Sequence, residues 1–327
     1  MININWRRAI KGVLLSFIPL SLFCFFVYGS QAYLLSPVNQ ATDRVFLSSI
    51  SDSPIIGGDY DNNTNQEESE NKTDGIGVTE TDLTKINVKS AISIETDLIN
   101  DKEIIFEEES ELSLPIASLT KLMTAVISFE NYDLLDTITI SKDADSQLSM
   151  QTDLKLEDKF SVDEILHIML IESSNKAAYA LAEQIGENNF VLLMNQKAQL
   201  LGLENTFFAD PTGLSPKNVS SANDLVVLIK YILVNYPKIA EISTINSYEL
   251  ENFGTISNTN YLFNEFPNII LSKTGFTNYA NGCLVSVLPN SQENDYIINI
   301  VLGADDRFLE MRKLINWKNI IQNNNGN

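Results

Sequence analysis

Pro115-Ile116-Ala117-Ser118-Leu119-Thr120-Lys121-Leu122-Met123-Thr124-Ala125-Val126-Ile127 is a loop that turns into a helix at a hydroxyl. Pro115 sits in a non-helical segment from Leu112, and from Ser118 onward the apolar residues recur at helical spacing. The pattern places Ser118 at the helix start and Lys121 one turn on, along the same face. Free backbone N–H groups and the positive dipole end at that start favour developing negative charge. A neutral amine there can take the serine proton. Taken alone, the pattern suits an N-cap serine followed by an exposed lysine better than an active site. The same S-x-x-K spacing recurs at Ser69 to Lys72, in a polar stretch with no such setting.

Working outward, Ser90 to Thr96 alternates in strand fashion and Glu103 to Glu107 is a second short strand across a turn at Asp97 to Asp101. Downstream, Val162 to Ile171 reads as a helix capped by Ser161 with Glu164 three positions on. After a break at Glu172 to Asn175, helices are expected over Lys176 to Ile185, Val191 to Leu201 and Ala222 to Val234. The last third turns to strands, at Tyr248 to Asn252, Ile269 to Lys273, Gly282 to Val287 and Tyr296 to Gly303. An amphipathic helix, Arg307 to Ile321, closes the chain. This order implies an α/β (α+β) fold: an antiparallel sheet flanked by helices, with a mostly helical second lobe.

Composition narrows the chemistry. The 327 residues, 44% of them hydrophobic, suffice for one sizeable core. A formal net charge of −21 repels phosphate polymers and excludes nucleic acid as a main partner. Two cysteines, Cys24 and Cys283, build no disulfide framework, the first lying in an apolar N-terminal segment. The single histidine, His167, would have to serve any Ser-His-Asp triad, and a histidine-based metal site would lack ligands. No metal and no cofactor is expected. A nucleophile here takes its base from another residue type, and lysine is the candidate.

Two further motifs fit that idea. Ser173-Ser174-Asn175 falls in a tight junction between two helices, where a serine can relay a proton and Asn175 can orient an amine or a carbonyl. Lys273-Thr274-Gly275 follows the apolar run Ile269-Ile270-Leu271 at a strand edge. A lysine and a hydroxyl there suit a carboxylate, and the glycine permits close approach of substrate. Singly, each also reads as a capping turn or an ordinary strand end. Together, in the order SxxK, SxN, KTG, they correspond to the serine β-lactamase and penicillin-binding signature.

At this point the chain resembles the low-molecular-mass penicillin-binding proteins, the D-alanyl-D-alanine carboxypeptidases of peptidase family S11, within the serine β-lactamase-like superfamily. The likeness runs from about residue 88 to about 320. It rests on the opening segment from Pro115 to Ala125, on Met169-Leu170-Ile171-Glu172-Ser173-Ser174-Asn175-Lys176-Ala177-Ala178, on Lys273-Thr274-Gly275-Phe276-Thr277 with Gly282-Cys283-Leu284-Val285, and on the loop Asp210-Pro211-Thr212-Gly213-Leu214. The resemblance implies a β-lactamase/transpeptidase-like fold and a serine-type D-Ala-D-Ala carboxypeptidase acting on peptidoglycan stem peptides, with β-lactams as covalent inhibitors. It implies Ser118 as acyl-ester nucleophile, Lys121 as its base, and Ser173 and Asn175 in proton relay and substrate orientation. Lys273 and Thr274 would bind the terminal carboxylate, next to Gly275. The backbone N–H groups of Ser118 and Phe276 would form the oxyanion hole.

Departures from the family pattern fall on the rim: Ser174 where glycine is common, Lys176 where aspartate is common, and Asn218-Val219-Ser220-Ser221-Ala222 where His-Tyr-Ser-Thr-Ala is frequent. A DD-endopeptidase of wall cross-links uses the same constellation and stays open beside the carboxypeptidase. A class A-like β-lactamase would want an E-x-x-L-N loop between Asn175 and Lys273, and none is present. A non-catalytic wall-binding protein is disfavoured by the full set of chemical groups. His167 and Cys283 read as structural.

The ends of the chain are of a different material. Residues 1–35 place Arg7, Arg8 and Lys11 ahead of an apolar run from Val13 to about Leu35, which favours an N-in orientation with the remainder outside the cell membrane. The run is a single-pass anchor or, with Ser30-Gln31-Ala32 resembling a cleavage site, a removed signal segment. Residues 36–86 are polar and low in apolar content, a stalk that cannot offset its ordering entropy. A coil of ~50 residues spans roughly 40 Å. The expected peptidase domain is 87–322, with a short tail at 323–327. The shortness of the chain after the closing helix favours the N-terminal run as the anchor.

Overall fold

The computed structural model describes residues 85–149, 153–251, 253–290 and 295–319. All of them belong to the compact unit Thr73–Asn327. The expected N-terminal segment, nearly all of the stalk and the tail lie outside the described residues.

The chain begins with the hairpin β1 (Ser90–Thr96) and β2 (Asp101–Glu108). Strand β3 (Leu114–Pro115) leads through a 3-10 turn, Ala117–Leu119, into helix α1 (Thr120–Asn131). A helical block follows, with short strands threaded through it: β4 (Thr137–Thr139), α2 (Lys142–Asp145), β5 (Lys159–Ser161), α3 (Val162–Ile171), α4 (Asn175–Glu183) and α5 (Glu187–Leu200). Then come β6 (Val219–Ser220), α6 (Ala222–Asn235), α7 (Pro237–Ser243) and the ribbon β7 (Ser247–Leu250) with β8 (Gly254–Ser257). The chain returns through β9 (Leu271–Thr277), β10 (Asn281–Pro289) and β11 (Tyr296–Ala304), and α8 (Arg307–Ile315) packs back on them.

Five strands form one antiparallel sheet in the order β2-β1-β11-β10-β9, so the first hairpin is joined to the last by β1 and β11. Alternation along each strand divides the core in two. Ile92 and Ile94 of β1, Cys283, Val285 and Val287 of β10, and Ile298, Ile300 and Leu302 of β11 face the helical lobe. Ala91, Leu284, Leu288 and Val301 face the other way, toward Met311 and Leu314 of α8. Burying side chains on both faces explains why β10 and β11 read as near-continuous apolar runs. Edge strand β2 is charged and largely exposed, the composition that discourages a further strand from pairing there.

Helix α1 is buried from Thr120 through Ser128, as a helix at the centre of two lobes must be. The capping box at α3 forms as the sequence indicates, Ser161 Oγ accepting from Glu164 N–H and the Glu164 carboxylate accepting from Ser161 N–H. Beyond shifts of a few residues at element ends, such as α5 starting at Glu187 and not Val191, three differences from the sequence reading stand out. The strand expected at Ile269 to Lys273 runs from Leu271 through Thr277, so Lys273-Thr274-Gly275 lies inside a strand and not at its end. The strand expected at Tyr248 to Asn252 is half of a separate two-stranded ribbon. Helix α8 breaks at Asn316, where Asn316 Nδ2 turns back onto the Arg312 carbonyl.

Candidate active site

The backbone ahead of α1 is clasped from two sides. Ser118 lies in the 3-10 turn, and α-helical geometry starts at Thr120. The preceding Ala117 takes φ 47°, a left-handed conformation that costs an alanine about 1–3 kcal/mol and persists only where its surroundings enforce it. Those surroundings are glycines. A Cβ on Gly213, itself at φ +89°, would fall 2.1 Å from the Ala117 carbonyl oxygen. One on Gly275 would stand 3.0 Å from Ile116 O and 3.2 Å from Ser118 N. The KTG glycine therefore makes room for the backbone of the serine turn itself.

Lys121 is fully buried, and its Nζ reaches Ser118 Oγ at 2.8 Å, Asn175 Oδ1 at 2.7 Å and the Thr212 carbonyl at 2.6 Å. Asn175 Nδ2 donates to Leu148 O at 2.5 Å, which fixes its oxygen toward the lysine. A neutral amine has two N–H groups and one lone pair, and the two carbonyl oxygens can only accept. They take the N–H groups, and the lone pair is left for the serine hydroxyl. Burial lowers the Lys121 pKa to about 7, with Asp210 pulling the other way.

The Thr212 carbonyl is placed by a single side chain. Asp210 Oδ1 accepts from Thr212 N, Thr212 Oγ1 and Gly213 N, and Oδ2 accepts from Ser215 N, all at 2.7 Å. Thr124 Oγ1 on α1 donates to Pro211 O at 2.6 Å and ties the loop to the helix.

A second amine–hydroxyl pair faces the first. Ser173, at φ 63° in the α3–α4 junction, holds its Oγ 2.8 Å from Lys273 Nζ, which is itself almost wholly buried on β9. Burial first, then the Lys121 and Arg307 charges, hold Lys273 well below the usual lysine pKa. Thr274 Oγ1 lies 2.5 Å from Thr259 Oγ1.

Ser118, Ser173, Asn175, Thr274, Gly275 and Phe276 line one cleft of about 430 Å³, with the two lysine amines reaching it from behind. The structure thus brings all eight residues singled out in the sequence to one place. It adds two groups that the sequence reading did not assign. One is the Thr212 carbonyl. The other is Arg307, the first residue of α8, which lines the cleft with its Nε buried and without a hydrogen-bond partner among the described residues. His167 lies elsewhere, its ring stacked on Tyr248 at 4.4 Å and Nδ1 2.7 Å from Asp163 O. Cys283 is buried, and its thiol is pushed up to about 11 by that burial.

The family profile of D-alanyl-D-alanine carboxypeptidases, peptidase S11, matches residues 77–306. The chain is 33% identical over 235 residues to a D-alanyl-D-alanine endopeptidase of Escherichia coli K12, covering 67% of this chain and 74% of that protein. It is 33% identical over 244 residues to the D-alanyl-D-alanine carboxypeptidase DacF of Bacillus subtilis 168, covering 70% of this chain and 61% of that protein. Among solved structures, penicillin-binding protein D2 of Listeria monocytogenes in its ampicillin-bound form superimposes with a TM-score of 0.62 at 26% identity, over 70% of this chain and 96% of that one. The profile match spans most of the described residues and includes all three motifs of the cleft: the chain belongs to the D-alanyl-D-alanine carboxypeptidase family, peptidase S11, and is a serine-type hydrolase with DD-peptidase activity on peptidoglycan.

Proposed function

We propose that the chain is a serine D-Ala-D-Ala carboxypeptidase of peptidoglycan stem peptides, working through an acyl-ester on Ser118. The observation that carries this reading is Lys121 Nζ held 2.8 Å from Ser118 Oγ by two carbonyl oxygens, which in the neutral amine take both N–H groups and leave the lone pair for the hydroxyl. Lys121 takes the Ser118 proton as Oγ attacks the carbonyl carbon of the penultimate D-Ala. The backbone N–H groups of Ser118 and Phe276 stabilise the oxyanion. The amide C–N bond then breaks, and the departing D-Ala nitrogen receives a proton through Ser173, backed by Lys273. Asn175 orients substrate and amine. Thr274 and Arg307 hold the carboxylate next to the scissile bond, since both line the cleft and Arg307 brings a guanidinium to its wall. Water hydrolyses the ester and restores Ser118. A β-lactam, a strained amide with a carboxylate beside its nitrogen, opens onto the same oxygen and stays there.

Cleavage of cross-links is the second reading. It is favoured by the 33% identity to a protein named as an endopeptidase, and the same groups serve both bonds. The N-terminal run at 1–35 would hold the domain at the outer face of the membrane. The direct test is a fluorescent penicillin with the wild type and Ser118→Ala, followed by digestion of disaccharide pentapeptide and its cross-linked dimer. A covalent adduct on the wild type that vanishes in Ser118→Ala, with release of D-Ala from the pentapeptide, is expected. An adduct that persists in Ser118→Ala refutes the assignment of the nucleophile.

A further inference from the structure

The cleft wall at Arg307 does not end at the guanidinium. The Arg307 Cζ lies 4.6 Å from the centre of the Phe308 ring and 6.0 Å from that of Phe276. The Phe308 ring meets Tyr261 with centroids 5.1 Å apart. Phe276 and Tyr261 are 57% and 65% exposed, and Phe308 between them is half-buried with its inner side on the core under α8, so the two outer rings are open to solvent.

The surface is also held in place. Tyr261 begins a 3-10 turn capped by Asn260, with Leu262 N donating to Asn260 Oδ1 at 2.9 Å. Asn260 Nδ2 in turn donates to Ser272 Oγ on β9 at 2.8 Å. At the far end of the turn, Glu265 receives Arg312 of α8 in a two-point ion pair, both contacts 2.6 Å. The turn that carries Tyr261 is therefore tied to both β9 and α8, which lowers the ordering cost of binding on it.

Its position determines what it can touch. Thr274 and Phe276 are two apart on β9 and project to the same face. Thr259, two residues before Tyr261, hydrogen-bonds Thr274 and lines the same end of the cleft. If Thr274 and Arg307 grip the carboxylate beside the scissile bond, that carboxylate belongs to the leaving residue. Whatever continues from the leaving residue must then pass over Phe276, Phe308 and Tyr261. A free D-Ala has nothing to lay there. The diamino acid of a cross-linked strand does: an aliphatic arm, whose methylenes suit ring faces, and a peptide beyond it.

We propose that Tyr261, Phe308 and the Phe276 ring form a leaving-strand subsite that selects cross-linked stem peptides, anchored through Arg307. This rests on the DD-peptidase reading above and deepens it. The experiment compares kcat/KM for the cross-linked muropeptide dimer and the monomeric disaccharide pentapeptide, in wild type, Tyr261→Ala and Tyr261→Phe, with penicillin acylation as a check on the intact centre. Tyr261→Ala is expected to lower kcat/KM on the dimer about tenfold while changing the monomer and the acylation rate less than twofold, and Tyr261→Phe to restore the dimer. Equal loss on both peptides, no loss on the dimer, or a dimer that the wild type leaves uncut overturns the subsite. Failure of the wild type to cut either peptide while penicillin still acylates it overturns the peptidase reading along with the subsite. Turnover of the monomer with an indifferent dimer overturns the subsite alone.

Discussion

Lys273 Nζ and Ser173 Oγ stand 2.8 Å apart, joining two segments 100 residues distant in sequence. In the mechanism proposed above, that contact puts the KTG lysine, which the family resemblance assigns to the terminal carboxylate, into the proton path. Lys273→Ala is therefore expected to slow acylation by an acidic β-lactam and by an ester without a carboxylate to a similar degree. Arg307→Ala is expected to slow only the carboxylate-bearing substrate, by about 10- to 100-fold, in line with ~1.5–3 kcal/mol for a charged hydrogen bond. Acylation rates of both variants on both substrates decide it. A Lys273→Ala loss confined to the carboxylate-bearing substrate would return the clamp to Lys273.

The pH dependence follows from Lys121. Its amine is the base only when neutral, and burial brings its pKa to about 7. The neutral fraction grows as pH rises through that value, so penicillin acylation should climb about tenfold per unit below it and level off above. Stopped-flow acylation from acid to mild alkali reads this directly. A rate that stays flat down to pH 5 would mean that the lysine is not the titrating base.

The glycine clasp makes a sharper mutational contrast. Gly202 and Gly213 both have positive φ, but a Cβ on Gly202 meets nothing within 4 Å while one on Gly213 strikes the Ala117 carbonyl. Gly202→Ala should cost only the backbone term, about 1–3 kcal/mol, and leave acylation unchanged. Gly213→Ala should cost more and also displace the Thr212 carbonyl from Lys121, lowering acylation at least about tenfold. Thermal unfolding and penicillin labelling of the two variants test it. Matching behaviour would show that the loop yields without disturbing the centre.

Placement is tested at the N-terminus. With basic residues before an apolar run, most of the protein should stay with membranes through a high-salt wash, because a hydrophobic tether is indifferent to screening. N-terminal sequencing of the mature protein gives the alternative directly. A start at Tyr33 with activity in the soluble exported fraction would make the segment a cleaved signal.

What the sequence disclosed depended on whether a letter carried its role. Ser118 and Lys121 share a helix face by spacing alone, and the Ser161–Glu164 cap and the runs of β10 and β11 were equally plain. The Thr212 carbonyl was hidden because a backbone oxygen looks the same at every residue; only the fold of the Asp210 loop aims it. Arg307 was hidden because an arginine at a helix start resembles any surface arginine until β11 brings it beside β9. The end of β9 was misread at Lys273, two residues before Gly275, because glycine usually weakens a strand, whereas here the Ile116–Ser118 backbone occupies the space a side chain would need. Strands as short as β3 and β6 carry too few residues for alternation to register.

The pairing of β1 with β11 has a consequence in time. Ser93 Oγ hydrogen-bonds Asn299 across 206 residues, and at the margin of the sheet Asn87 N–H reaches Glu310 while Lys313 reaches the Lys85 carbonyl. A chain emerging from the ribosome or a translocation pore, amino end first, presents β1 and β2 long before their partner exists. The hairpin must wait, unpaired along one edge, until β11 arrives. Closure over so long a loop is slow, and until it occurs the strand between β1 and β10 is missing from the sheet. A polypeptide interrupted before β11 therefore carries all three motifs without the strand that joins the two halves of their sheet.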